Sequence, residues 1–204
     1  MIILASKSPR RFELMQQLGL QFKVQLAGET NEQYPLELQR EEIPLFLARL
    51  KANSFLQAVT IPNDTVVVTA DTIVWVETLE TPNTTGKVSK GRALEKPDCR
   101  QEAIEMLELL SDKKHYVYSA VCLTTNSKQH VFFDETKVYF KKLSSEEISF
   151  YVDNYQPYDK AGAYGIQEWI GYIGIEKIEG SFYNVVGLPV QKLYNELRDF
   201  IEVT

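Results

Sequence analysis

The sequence is poor in the residues that most often act as nucleophiles or as ligands of transition metals. Among its 204 residues are two histidines, His115 and His130, and two cysteines, Cys99 and Cys122. Both histidines lie in strand-like stretches, and neither suggests a nucleophile triad. The cysteines are isolated and lack the spacing of a metal site, so we expect free thiols in a reducing cytoplasm.

Three further absences narrow the class of protein. The sequence has no Gly-x-x-x-x-Gly-Lys-Ser/Thr loop, which argues against a Walker-type NTPase. It has no apolar run of membrane-spanning length, and it opens on a strand pattern rather than a signal segment, so we expect a cytoplasmic protein without membrane contact. A net charge of −6 argues against stable nucleic-acid binding. The local basic residues are then expected to bind a small anion.

The composition, 44% hydrophobic and 25% charged, is that of one globular domain over residues 1–204, or of one bilobed unit. Helix and strand patterns alternate, and neighbouring strand patterns at 115–124 and 131–142 predict a mixed sheet. The predicted fold is therefore α/β, with a mixed, partly parallel sheet flanked by helices. The other predicted elements are strands at 2–5, 21–27, 65–76 (interrupted at Asp71) and 169–178, an excursion or hairpin at 77–95, and helices beginning at Ser8, Pro44, Asp98 (paired with Gln101), Ser144 (paired with Glu147) and Pro189.

Two arginines follow the first predicted helix start. Ser8 is a typical N-cap and Pro9 suits the first helical position, which places Arg10 and Arg11 in the first turn. The helix dipole disfavours basic side chains there unless an anion is present, and backbone N–H groups and guanidinium groups both suit phosphate. The alternative is that Arg10 pairs with Glu13 and Arg11 points into water. If phosphate binds, replacing Arg11 should weaken its binding far more than the fold.

Lys51 lies on the apolar side of the helix predicted over 44–59. The polar face of that helix carries Arg49, Asn53 and Gln57, and Lys51 falls almost opposite to it. Such a lysine either extends along the apolar surface until its ammonium reaches water, or it reaches through the core toward a bound anion.

Asp71 interrupts an otherwise apolar strand pattern at 66–76. Burying an unpartnered carboxylate would cost several kcal/mol, so a compensating group is required. A hydrogen-bonded bulge is one explanation, and a metal ion or a catalytic water is the other.

Five motifs occur in one order along the chain, and together they resemble the Maf family over nearly its whole length. Members of that family are nucleoside triphosphate pyrophosphatases. Their mixed α/β fold, with two lobes and a central cleft, is similar to that of the inosine triphosphate pyrophosphatases. The motifs are Ser6-Lys7-Ser8-Pro9-Arg10-Arg11, Thr69-Ala70-Asp71-Thr72, Glu95-Lys96-Pro97, the stretch from Asp159-Lys160 to Tyr164-Gly165-Ile166-Gln167, and Asn184-Val185-Val186-Gly187-Leu188-Pro189.

The resemblance implies a set of site residues and a divalent cation, with Mg²⁺ expected and Mn²⁺ as a substitute. Asp71 is implied as the catalytic residue, and Glu32 and Asp71 as metal ligands. The implied substrate-binding residues are Ser6, Arg10, Arg11, Lys51, Thr72, Lys96, Asp159, Lys160 and Gln167.

Relatives with Tyr-Gly-Ile-Gln at 164–167 resemble the subgroup that acts on dTTP and UTP, and an amide such as that of Gln167 can both donate to and accept from a pyrimidine edge. The alternatives are a 7-methyl-GTP pyrophosphatase and a non-enzymatic regulator of cell division, and a homodimer is left open. The chain departs from the family at Asn31, where relatives often have an acidic residue, and at Glu168, where they have a small one. The excursion at 77–95 is also longer than usual.

Overall fold

The computed structural model describes residues 1–28, 30–77 and 91–202. The strands are β1 (Ile2–Leu4), β2 (Phe22–Val24), β3 (Val66–Val76), β4 (Arg92–Leu94), β5 (Lys114–Thr124), β6 (Gln129–Phe140) and β7 (Ile175–Glu179). The α-helices are α1 (Pro9–Gln17), α2 (Glu42–Ala58), α3 (Arg100–Leu110), α4 (Ser145–Tyr155), α5 (Trp169–Gly174), α6 (Phe182–Val186) and α7 (Val190–Glu202), and a 3-10 turn covers Ala161–Ala163.

The sheet is mixed, as the sequence predicts. Its strand order is β2-β1-β3-β5-β6-β7, with β4 also paired to β3. Strand β1 runs parallel to both β2 and β3, whereas the β3–β4 and β6–β7 pairs are antiparallel. Because parallel neighbours need a crossover, α1 connects β1 to β2; α2 then leads from β2 to β3, which lies on the other side of β1.

Several predicted boundaries are confirmed. Ser8 caps α1 by accepting a hydrogen bond from the Arg11 N–H at 3.4 Å. Ser144 and Glu147 form the predicted capping box of α4. Strands β5 and β6 occupy the two predicted stretches. The excursion predicted at 77–95 lies largely outside the described residues, which resume at Gly91.

Two predictions about local structure are wrong. Asp71 does not interrupt its strand, because β3 runs unbroken from Val66 to Val76 and the carboxylate has a charged partner beside it. Asp98 does not cap α3. The N-cap is Cys99, which makes no side-chain cap bond, and the Glu102 carboxylate accepts a hydrogen bond from the Asp98 N–H at 2.7 Å.

The strand predicted at 169–178 is also wrong over its first part. Residues Trp169–Gly174 form α5, and the strand begins only at Ile175. Ile170 and Gly174 are both buried, which is the spacing of one helical face as well as of alternate strand positions. A Cβ at Gly171 would lie 1.9 Å from the Ile166 carbonyl oxygen, so this close approach requires glycine.

The described chain divides into two compact units. Unit 1 contains Met1–Thr72, Ser119–Asp134 and Tyr183–Thr204, and unit 2 contains Ile73–Tyr118 and Glu135–Phe182. In unit 1 the alternation of the strands separates two apolar clusters. One cluster includes Leu4, Val68, Met15 and Leu193 and packs α1 and α7 on one face, and the other includes Ile3, Val67 and Phe55 and packs α2 on the opposite face.

In the core of unit 2, His115 lies against Tyr164 and Phe140. Its Nε2 lies 2.8 Å from the Tyr164 hydroxyl, and burial lowers its pKa to about 3. The imidazole is therefore neutral and part of the core. None of the helices in the described ranges has the length and apolar character needed to cross a membrane.

Candidate active site

The Lys51 ammonium lies between two carboxylates in unit 1. Its Nζ is 2.5 Å from Asp71 Oδ1 and 2.9 Å from Glu32 Oε2. The side chains of Lys51 and Asp71 are only 19% and 10% exposed, whereas that of Glu32 is half exposed. The lysine therefore neither ends in open water nor stands unpaired, and Asp71 has the compensating partner that its burial requires.

The packing of α2 on β3 explains this meeting. The Thr69 hydroxyl donates to the Ala48 carbonyl at 2.7 Å, and Ala48 and Ala52 are fully buried, which brings the helix close to the sheet. Asp71 lies two residues beyond Thr69 on the same strand face, and Lys51 lies about one turn beyond Ala48. These steps of about 6.6 Å and 4.5 Å bring the two side chains together.

The environment of Asp71 makes its carboxylate a stronger base than usual. Burial raises its pKa, and the charges of Lys51 and Arg11 oppose the rise without cancelling it, while the Glu32 charge adds to it. A carboxylate whose pKa is raised in this way is suited to accepting a proton from water.

Arg11 binds the protein on both sides of Asp71. Its Nη1 donates to the Ala70 carbonyl at 2.8 Å, and its Nη2 donates to the Thr72 hydroxyl at 3.1 Å. Its Nε donates to the Gly187 carbonyl at 2.9 Å. Burial lowers the pKa of Arg11, but from an ordinary value so high that the group stays charged at neutral pH. Three of its five N–H donors are thus used by the protein, and the predicted phosphate contact stays a prediction.

Thr72 continues this network to Ser119, which sequence reasoning missed. Its Oγ1 lies 2.8 Å from Ser119 Oγ, and the Ser119 hydroxyl donates to the Asn184 carbonyl at 2.9 Å. Gly187 has a φ of +124°, which only glycine adopts easily, and this conformation belongs to the turn whose carbonyl Arg11 binds. The sequence gives one signal for Ser119, which is a hydroxyl side chain in the middle of an otherwise mostly apolar strand.

Arginine at position 11 is expected to stabilise the fold as well as the site. Replacing Arg11 with methionine removes three charge-assisted hydrogen bonds and should lower the free energy of unfolding by about 2 kcal/mol. Urea denaturation of this variant measures the loss, with Arg198→Met as the control because Arg198 is an exposed arginine of the same unit. An unfolding free energy equal to that of the wild type in Arg11→Met would contradict the structural role.

Comparison with known proteins decides the family. Residues 1–200 match the family model described as Maf-like protein. The chain belongs to the Maf family. A relative from Bacteroides fragilis is 52% identical over 97% of this chain and 94% of its own length, and one from Bacteroides thetaiotaomicron is 49% identical over the same shares. A relative from Porphyromonas gingivalis is 45% identical over 98% of this chain and 94% of its own length. All three are named dTTP/UTP pyrophosphatase.

The Maf motif at the start of α1 places two further candidates, Ser6 and Arg10, near Arg11. Ser6 Oγ accepts from the Ser8 N–H at 3.2 Å and is half-buried, as is Arg10. The first turn of α1 contains no acidic residue, and the charges of Arg10 and Arg11 act on each other. This helix end therefore carries positive charge, which suits an anion.

The remaining Maf candidates lie in unit 2. Lys96 is exposed just after β4. Lys160 is buried, and its ammonium contacts Asp159 Oδ1 at 2.7 Å and Glu168 Oε1 at 2.9 Å, so its charge is already matched. Gln167 is exposed and lines a cavity of about 420 Å³, whose wall also includes Tyr172, Lys177 and Phe182. The structure thus groups four candidates around Asp71 in unit 1, namely Glu32, Lys51, Arg11 and Thr72, and it pairs Asp159 with Lys160 in unit 2.

Proposed function

We propose that this Maf protein hydrolyses dTTP and UTP to the nucleoside monophosphate and pyrophosphate. The named relatives support the substrates. The buried Asp71 carboxylate, with a raised pKa and with Lys51 and Arg11 close to it, is the observation that carries the chemistry. A base next to cations is what water attack on a polyanion requires.

In the proposed reaction Asp71 takes a proton from a water molecule as its oxygen attacks the α-phosphorus. The bond from the α-phosphorus to the bridging oxygen breaks, and pyrophosphate leaves with the bonding electron pair. Lys51, together with the positive end of α1 at Arg10, Arg11 and Ser6, offsets the charge of the phosphate groups.

A divalent cation, with Mg²⁺ expected and Mn²⁺ as a substitute, fits this site only with ligands from the substrate. The described residues contain no group of three or more acidic, histidine or cysteine side chains that could hold a metal. Asp71 and Glu32 nevertheless both bring carboxylate oxygens to the same lysine nitrogen, and carboxylates combined with phosphate oxygens are typical Mg²⁺ ligands. When bound, the cation would supply charge neutralisation to the triphosphate.

We assign recognition of the nucleotide base to residues of unit 2. Gln167 is proposed to contact the edge of the pyrimidine ring. Its amide can donate to O4 and accept from N3–H of uracil or thymine. Lys96, Asp159 and Lys160 complete the substrate-binding set, and the two-lobed arrangement with a central cleft is part of the same proposal. Thr72, which is bound to Arg11, completes it in unit 1.

A pyrophosphate-release assay over a panel of nucleotides tests this function. We expect kcat/KM for dTTP and UTP to exceed that for CTP, ATP and GTP by roughly tenfold to a hundredfold, since mismatching a buried polar edge costs about 1–3 kcal/mol. Gln167→Ala should flatten that ranking. Equal rates on CTP, or best activity on 7-methyl-GTP, would show that the substrate is wrong, and no activity on any nucleotide would favour a non-enzymatic regulator.

A further inference from the structure

We propose that Glu168 and Tyr151 are positioning residues that hold Gln167 in place and thereby set the preference for uracil and thymine over cytosine. The inference rests on the base-reading role proposed for Gln167. Gly165 and Ile166 are buried, whereas Gln167 is exposed at the cavity wall. The segment that carries Gln167 is therefore anchored just before the residue that would meet the base.

The anchor is a chain of polar contacts on both sides of Gln167. The Tyr151 hydroxyl accepts a hydrogen bond from the Gly165 N–H at 3.0 Å and donates one to Glu168 Oε2. The other carboxylate oxygen, Glu168 Oε1, lies 2.9 Å from Lys160 Nζ. One phenol and one carboxylate thus tie the residue two positions before Gln167 to the residue directly after it.

The backbone closes the same loop. The Glu168 N–H donates to the Gly165 carbonyl at 3.0 Å, and the Glu168 carbonyl accepts from the Gly171 N–H at 2.9 Å, which joins the segment to α5. A Cβ at Gly165 would lie 2.8 Å from Glu168 Cδ and 3.0 Å from Lys160 Cε. Glycine at 165 therefore leaves the space that the Glu168 carboxylate and the Lys160 side chain occupy.

These contacts are largely shielded from water, so their groups depend on one another for hydrogen bonds. Tyr151 is fully buried, and the side chains of Lys160 and Glu168 are only 10% and 23% exposed. Burial and the adjacent Glu168 carboxylate raise the pKa of Tyr151, so its hydroxyl stays a donor. An apolar contact would fill this space without a preferred direction, whereas these hydrogen bonds fix the positions of the groups they join.

This fixed segment answers a question that Gln167 alone leaves open. A free amide can rotate to match either the acceptor and donor of uracil or the donor and acceptor of cytosine. Discrimination therefore needs hydrogen-bonding groups that cannot rotate in this way, and the main-chain N–H and carbonyl groups of the segment that carries Gln167 are such groups once the segment is held in one place. Glu168 and Tyr151 supply that restraint without touching the nucleotide.

The test compares Tyr151→Phe and Glu168→Gln with two control variants of unit 2. Tyr164→Phe removes a buried phenol that bonds His115, and Asp153→Asn removes an exposed carboxylate that pairs with Arg100. In Tyr151→Phe and Glu168→Gln we expect KM for UTP to rise about tenfold with kcat nearly unchanged, and the UTP to CTP ratio of kcat/KM to fall about tenfold. Both controls should keep the ratio. A merely structural role would lower the active fraction for every nucleotide alike.

Amide hydrogen exchange gives a second measurement that does not depend on activity. The Gly165 and Glu168 amides should exchange faster in Tyr151→Phe than in Tyr164→Phe. Equal exchange rates in these two variants would show that Tyr151 does not hold the segment that carries Gln167. If the wild type hydrolyses UTP and both positioning variants keep its preference over CTP, the inference fails while the proposed function stands. If the wild type hydrolyses no nucleoside triphosphate, the proposed function fails and takes the inference with it.

Discussion

Asp71→Asn is expected to lower kcat for dTTP by about a hundredfold or more while the protein stays folded. The change removes the carboxylate that would accept the proton of the attacking water and that would help to hold the cation. It keeps the volume of the side chain and an oxygen that can accept from Lys51, and a neutral amide costs less to bury than a carboxylate. Steady-state kinetics with dTTP, beside a thermal melt of each protein, measures both effects.

The matched control is Asp64→Asn, because Asp64 is an exposed carboxylate of the same unit that lies just before β3. It should have wild-type kcat. Wild-type turnover by Asp71→Asn, or full activity of the wild type in the presence of a chelator, would refute the roles given to Asp71 and to the cation.

Lys51→Met is expected to have the largest effect on stability. Removing the ammonium leaves the buried Asp71 carboxylate with the Arg11 charge to offset it and the Glu32 charge against it, and breaking a buried ion pair from one side typically costs about 3–5 kcal/mol. The same change should weaken triphosphate binding, since Lys51 is a proposed phosphate contact. Urea denaturation measures the first effect, and titration calorimetry with a nucleotide measures the second.

A double-mutant cycle measures the interaction free energy between Lys51 and Asp71 separately from what each residue contributes alone. In Lys51→Met combined with Asp71→Asn, no carboxylate is left buried at position 71, so most of the lost unfolding free energy should return. Lys137→Met serves as the control, because Lys137 is a partly exposed lysine whose partner Glu179 lies 3.7 Å away. Additive losses in the double variant would mean that Lys51 stabilises the fold through its packing rather than through Asp71.

The order and type of most elements could be predicted because local sequence and tertiary structure agree there. The run of β-branched residues in β3 is one such case, and the capping box at Ser144 is another. The helix α5 could not be predicted, because the apolar residues of its short Trp-Ile-Gly-Tyr-Ile-Gly sequence fit the periodicity of a helix as well as that of a strand. The deciding contact, between Gly171 and the Ile166 carbonyl, depends on how the chain folds back on itself.

Two of the candidate residues could be selected from the sequence because each conflicts with its surroundings. A carboxylate in an apolar strand and a lysine on an apolar helix face pointed to Asp71 and Lys51, and the two are in contact. Their mutual pairing was not predicted, because no local pattern relates residues twenty positions apart. Ser119 was missed for the same reason, since its partner Thr72 lies on a different strand.

The type of acceptor that Arg11 binds determines whether sequence covariation within this family would reveal the contact. Two of the three acceptors are main-chain carbonyls, of Ala70 and Gly187, and every amino acid carries that group. A new side chain at position 70 therefore leaves its hydrogen bond to the guanidinium in place, and it offers no compensation if Arg11 changes. In an alignment, position 11 would therefore have no covarying partner at position 70, although the hydrogen bond between Arg11 and Ala70 joins α1 to β3.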